Sequence, residues 1–133
     1  MKKETYHASG KRKRAVARAT LTPGKGVVRI NKIMLQSLQP KLARAKIEEI
    51  LHLTSDVRDK YDIEVTVSGS GFSSQAEAAR LAIGKAIVEA HPEYKEQLLA
   101  YDRQFLVADV RRKETHKPNR HGKARSKTQK SYR

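Results

Sequence analysis

Ala15, Ala17, Ala19 and Leu21 recur at every second position between Arg14, Val16, Arg18 and Thr20, which is the period of a half-buried β-strand. Thr22-Pro23-Gly24-Lys25-Gly26 has the residues of a tight turn, so residues 27–30 are predicted to return as the second strand of a hairpin. Pro40 suits a first helical turn, and Ala43, Ile47, Ile50 and Leu51 then share one helical face. Tyr61, Ile63, Val65 and Val67 alternate with Asp62, Glu64 and Thr66 in the clearest strand of the chain, whose polar side should face water. Ser74 and Glu77 have the spacing of a capping box, followed at helical spacing by Ala76, Ala79, Ile83, Ala86, Ile87 and Ala90 as far as Pro92. Gly84 inside that longest helix costs roughly 1 kcal/mol against Ala, so it marks either close packing against a sheet or slack sequence. A short helix over 92–100 and a strand-like segment over 105–110 complete an α+β body, a small mixed sheet with helices on one face, over residues 1–110.

Past residue 110 the pattern stops. Residues 111–133 offer only Ala124 and Tyr132 as apolar contributors, with Pro118 and Gly122 as breakers. Such a segment cannot bury enough surface to offset its ordering entropy, so the extension is expected to be disordered alone and to reach at most about 75 to 80 Å when extended.

Charge sharpens this division. The 133 residues carry a net +15, yet residues 19–110 are neutral: residues 1–18 hold +6 and residues 111–133 hold +9. A neutral body with cationic ends folds without self-repulsion while the ends neutralise phosphates, which points to a polyanion partner. Arg12, Arg14 and Arg18 fall on one strand face if the period extends back to residue 12, a row of guanidinium groups matched to phosphate oxygens. The length favours one domain, and the absence of Cys excludes disulfides, Cys-ligated zinc and thiol nucleophiles, so a reducing cytoplasm suits the chain. With no apolar run longer than four residues, neither a membrane span nor an export signal is expected.

Catalytic chemistry finds little support. Ser68-Gly69-Ser70-Gly71-Phe72-Ser73-Ser74-Gln75-Ala76 runs strand, glycine-rich loop, helix start, and could cradle a phosphate on free backbone N–H groups. It resembles the Gly-Ser-Ser-Ala loop of the GHMP small-molecule kinases, but no Walker lysine follows and that family needs a further domain. A glycine-containing connection with a serine cap is the simpler reading. His7, His52, His91, His116 and His121 have no metal-ligand spacing. No catalytic residue, cofactor, metal or small-molecule substrate is expected. A small phosphotransferase and a free architectural nucleic-acid binder are the alternatives.

Ser9-Gly10-Lys11-Arg12-Lys13-Arg14-Ala15-Val16-Ala17-Arg18-Ala19, Gly24-Lys25-Gly26 before Ile30-Asn31, Ser70 to Ala76, Leu98-Leu99-Ala100-Tyr101-Asp102-Arg103 and the basic terminus together resemble the ninth small-subunit ribosomal protein family. The resemblance covers residues 5–133, and the closing Gln129-Lys130-Ser131-Tyr132-Arg133 is similar to its archaeal and eukaryotic branch. It implies a left-handed βαβ fold like ribosomal protein S5 domain 2, a place in the cytoplasmic small-subunit head among other head proteins, and no enzymatic activity. The implied rRNA-binding residues are Lys11, Arg12, Lys13, Arg14, Arg18, Arg111, Arg112, Lys113, Lys117, Arg120, Lys123, Arg125 and Lys127. The implied contacts to the anticodon stem-loop of peptidyl-site tRNA are Lys130, Ser131, Tyr132 and Arg133.

Overall fold

In a computed structural model that describes residues 4–125, the alternating segment at Ala15 forms the second of five strands. These are β1 (Tyr6–Arg12), β2 (Ala15–Pro23), β3 (Val28–Ile30), β4 (Ile33–Met34) and β5 (Tyr61–Ser68). The helices are α1 (Lys41–Leu53), α2 (Ser55–Arg58), α3 (Phe72–Ala90) and α4 (Tyr94–Tyr101), with 3₁₀ turns at Leu35–Ser37 and Arg103–Phe105. The sheet order is β1-β2-β5-β3-β4; β3 runs parallel to β5 and every other neighbouring pair is antiparallel.

One face of the sheet carries the core. Ala15, Ala17, Ala19 and Leu21 of β2, Ile63, Val65 and Val67 of β5, and Val28 and Ile30 of β3 are buried against Ala78, Ala79, Ala82, Ile83, Ala86 and Ile87 of α3. Ile47, Ile50 and Leu51 of α1 close the layer. Small side chains on both surfaces let α3 lie close to the sheet. At Gly10 of β1 an added Cβ would meet the Ala78 carbonyl oxygen at 2.5 Å, so a glycine there permits the approach. No described helix is long and apolar enough to cross a membrane.

Residues 27–30 do form a strand, but not a hairpin with β2. The true hairpin is β1–β2, turning at Lys13 (φ +55°) and Arg14, and β2 and β3 flank β5 on opposite sides. The intervening segment crosses the end of β5 and is pinned there by Asp62. Its Oδ1 accepts the backbone N–H groups of Lys25 (3.0 Å), Gly26 (3.1 Å) and Val27 (3.0 Å). These bonds, the Val27 N–H foremost, hold the Asp62 carboxyl below the usual carboxylate range.

The capping box does not form. Helix α3 begins at Phe72 with Gly71 as its N-cap and no side-chain cap, while Ser74 is buried inside the helix. Glu77 is drawn away by Arg12 and Lys46, with Lys46 Nζ also donating to Ser73 Oγ at 3.0 Å. Residues 105–110 are not a strand either. Phe105 closes a 3₁₀ turn as a fully buried plug between the stacked Tyr101 ring (centroids 5.7 Å, 6° between planes) and the Arg80 guanidinium 5.0 Å above it. The chain beyond Phe105 then heads for β1, leaving Val110 exposed.

Candidate nucleic-acid interface

Alternation along β1 and β2 decides which cations can meet a ligand. On β1, Tyr6, Ala8, Gly10 and Arg12 point to the helix side, so His7, Ser9 and Lys11 point to the open side. On β2 the alanines are buried, which turns Val16, Arg18 and Thr20 outward. Register places Arg18 between Ser9 and Thr66, and Lys11 beside Val16. The open face therefore joins Lys11 and Arg18 to Thr20, Glu64, Thr66 and Ser68.

The expected row of Arg12, Arg14 and Arg18 is broken by the turn. Arg14 lies in the turn, and Arg12 lies on the opposite face from Arg18, with its side chain only 16% exposed. Arg12 Nε donates to Glu77 Oε2 at 2.6 Å, and its Nη1 lies 2.8 Å from Asp109 Oδ2. Lys46 reaches the other Glu77 oxygen at 3.2 Å. Burial opposes ionisation of Glu77, but the hydrogen bonds from Arg12 and Lys46 outweigh it and hold the carboxyl below its ordinary value. Arg12 thus joins β1, α3 and the root of the tail, and its charge is answered within the protein.

The tail leaves the body at Asp109. The Arg111 guanidinium donates to both Asp109 oxygens (3.0 and 2.7 Å to Oδ2), and its backbone N–H donates to Oδ1 at 2.9 Å. This keeps Asp109 ionised far below the ordinary carboxylate range, the side-chain bonds of Arg111 being the largest cause. Arg112 then donates to the carbonyl oxygen of Lys13, laying the tail across the β1–β2 turn. Farther on, Lys117 N–H donates to Lys123 C=O at 2.8 Å, and Arg125 pairs with Glu114, so residues 114–125 close on themselves as a loop. Lys113, Lys117, Arg120 and Lys123 are exposed along it.

Of the residues expected to meet RNA, the structure brings Lys13, Arg14, Arg112 and Lys113 together, leaves Lys11 and Arg18 on the open sheet, and assigns Arg12 to the interior network. Lys127, Lys130, Ser131, Tyr132 and Arg133 lie outside the described residues. Arg29 is an addition: it is exposed on β3 beside Glu64 on the open face. Its position between apolar Val28 and Ile30 was the available signal. The pairing of Asp109 with Arg12 had no local signal, because the two are nearly the whole chain apart; only its pairing with Arg111 is local. Among the described residues no group of three or more His, Asp or Glu is placed to hold a metal ion.

Comparison with known proteins converges on one family. The sequence pattern of the family described as Ribosomal protein S9/S16 matches residues 10–133. The chain is 47% identical to the small ribosomal subunit protein uS9 of the archaeon Methanococcus vannielii, over 98% of this chain and 99% of that protein. It is 46% identical, with the same coverage, to the protein of that name in two strains of Methanococcus maripaludis.

Proposed function

The chain belongs to the ribosomal protein S9/S16 family, and from that premise we propose that it is a structural constituent of the small ribosomal subunit head, acting in translation in the cytoplasm. It binds small-subunit rRNA through Lys11, Lys13, Arg14 and Arg18 of the body and through Arg111, Arg112, Lys113, Lys117, Arg120, Lys123, Arg125 and Lys127 of the extension. Other head proteins are its neighbours. The observation that carries this reading is the separation of charge. Glu77 and Asp109 of the body are engaged by neighbouring cations and Asp62 by backbone N–H groups, whereas the cations of the β1–β2 turn and of residues 112–123 face outward with few carboxylates among them. Affinity for RNA backbone follows from such an excess without any base-reading group.

The tail tip extends this role. Arg133, placed by Lys130, Ser131 and Tyr132, contacts the anticodon stem-loop of peptidyl-site tRNA, where a guanidinium can pair with backbone phosphate whatever the tRNA sequence. The family resemblance implies the left-handed sense of the ribosomal protein S5 domain 2-like fold for the β3–α1–β5 crossover; the parallel pairing of β3 with β5 across an intervening helix supports the crossover itself, not its hand.

Sucrose-gradient fractionation of a cell extract in high magnesium tests the first part: the protein should travel almost wholly with small subunits, and recovery chiefly as free protein or on chromatin would refute it. For the second part, subunits carrying the chain without Arg133 should assemble normally but release peptidyl-site tRNA faster. An unchanged release rate would leave only the rRNA anchor.

A further inference from the structure

The glycine-serine loop between β5 and α3 gives its helix no side-chain cap, yet it lies under the root of the tail. Gly69 (φ +84°) approaches the β1–β2 turn so closely that an added Cβ would stand 2.5 Å from the Arg14 carbonyl oxygen. Ser70 (φ +54°) lines one hollow with Lys13, Arg14, Arg111, Arg112 and Lys113. Arg112 fastens the tail across that hollow through the Lys13 carbonyl. A second hollow shares Arg14 and Lys113 and adds Glu114, His116 and Lys123.

Two of these charges are already answered: Arg111 by Asp109, and Glu114 by Arg125. Lys13, Arg14, Arg112, Lys113 and Lys123 have no carboxylate partner among the described residues. The neighbouring Lys123 ammonium holds the Lys113 amine below its ordinary value, with burial and Arg14 adding to the effect. Cations drawn from two separate segments therefore repel one another until an anion enters between them. Guanidinium, ammonium and hydroxyl groups surround the hollow with donors, and no aromatic ring is present for a base to stack on.

We propose that this hollow is a built site for a single backbone phosphate of structured RNA, held jointly by Arg14 of the turn, Ser70 of the loop and Lys113 of the tail. The inference rests on the rRNA-binding reading above and deepens it: one phosphate bridges body and tail and reinforces the junction that Arg112 already makes with the turn. Donors converging from turn, loop and tail favour the tetrahedral phosphate oxygens over a diffuse counterion atmosphere.

A double-mutant cycle on the full chain decides it, with a transcript of small-subunit rRNA as the probe and dissociation constants measured at several salt concentrations. Arg14→Gln and Lys113→Gln should each weaken binding by about tenfold, the scale of one charge-assisted hydrogen bond. Their combination should weaken it by clearly less than the product, because either change alone releases the shared phosphate. The control pair Arg18→Gln and Lys113→Gln should multiply, since Arg18 stands on the open sheet. All three side chains are exposed, so a retained far-ultraviolet spectrum is expected in every variant. If the Arg14 and Lys113 effects multiply as the control does, or if neither substitution matters while the wild type binds, the shared site is refuted and the rRNA-binding reading stands. Weak, salt-insensitive binding by the wild type would refute both.

Discussion

The carbonyl oxygen of Phe105 occupies the space that a methyl group on Gly84 would need: a Cβ there would lie 2.5 Å from that oxygen and 2.8 Å from Ile50 Cδ1. Helix α3 accepts a glycine in its interior because the 3₁₀ turn after α4 and helix α1 press on it at that point. Gly84→Ala should therefore destabilise the fold by about 1 to 3 kcal/mol, the cost of overpacking outweighing the roughly 1 kcal/mol gained in helix propensity. Urea unfolding measures it; a stabilised variant would show that the turn yields freely.

Asn31 completes the sheet with its side chain. Beyond the end of β3 its Nδ2 donates to Val67 C=O at 3.1 Å and its Oδ1 accepts Val67 N–H at 2.8 Å, imitating one more residue of the parallel ladder. Its backbone is left-handed (φ +50°), which Asn tolerates better than most residues. Asn31→Ala should cost about 1 to 3 kcal/mol, and Asn31→Gly less, because glycine loses the same bonds but keeps the backbone relaxed. Faster amide exchange at Val67 in both variants would locate the loss; equal stability of Ala and Gly variants would remove the conformational part of the argument.

These two contacts show where the sequence was legible. Local periodicity identified β2, β5, α1 and α3, since each buries one face of a regular element. Pairing was not legible: Pro23 to Val27 has the composition of a hairpin turn, and only Asp62 across the sheet makes it a crossing over β5. Glu77 has ideal capping spacing from Ser74, but a partly buried Arg12 competes for it and wins. Phe105 reads as the start of a strand because its burial against Arg80 and Gly84 depends on a helix distant in sequence. Among the candidate site residues, the excess charge was visible in composition, while the split between Arg12, turned inward, and Arg14, turned outward, depends on a turn at Lys13.

Acid should weaken the fold through three carboxylates held below their ordinary values. Asp62 is stabilised as the anion chiefly by the Val27 N–H, Asp109 by the Arg111 guanidinium, and Glu77 by Arg12 and Lys46 against the opposing effect of burial. In each case the unfolded chain binds protons at a higher pH than the folded one. The stabilisation is complete above the ordinary carboxylate values near pH 4 and is lost as the pH falls below them. Thermal melting followed from pH 6 to pH 2 should show this decline, and Asp62→Asn or Asp109→Asn, less stable at neutral pH, should show a shallower one. An acid limb unaltered by both substitutions would place the titrating groups elsewhere.

The last prediction separates cations that build the protein from cations that bind. Each phosphate neutralised releases counterions, so the slope of log K against log salt measures how many cations meet the nucleic acid, at roughly 0.9 per phosphate on a duplex and roughly 0.7 on a single strand. If about eight to ten do so, the wild-type slope with structured rRNA should be roughly −6 to −9. Arg12 contributes nothing to that number, because Glu77 and Asp109 already take up its charge inside the fold. Arg12→Gln should therefore leave the slope unchanged while lowering the melting temperature, since it leaves Glu77 and Asp109 with fewer partners. Arg14→Gln should do the reverse, reducing the slope by about one step with little effect on melting, as an exposed turn residue with no carboxylate partner among the described residues. Measuring both quantities on both variants tests the assignment. A reduced slope for Arg12→Gln with unchanged melting would put Arg12 on the RNA and overturn its role as the clamp between β1, α3 and the tail.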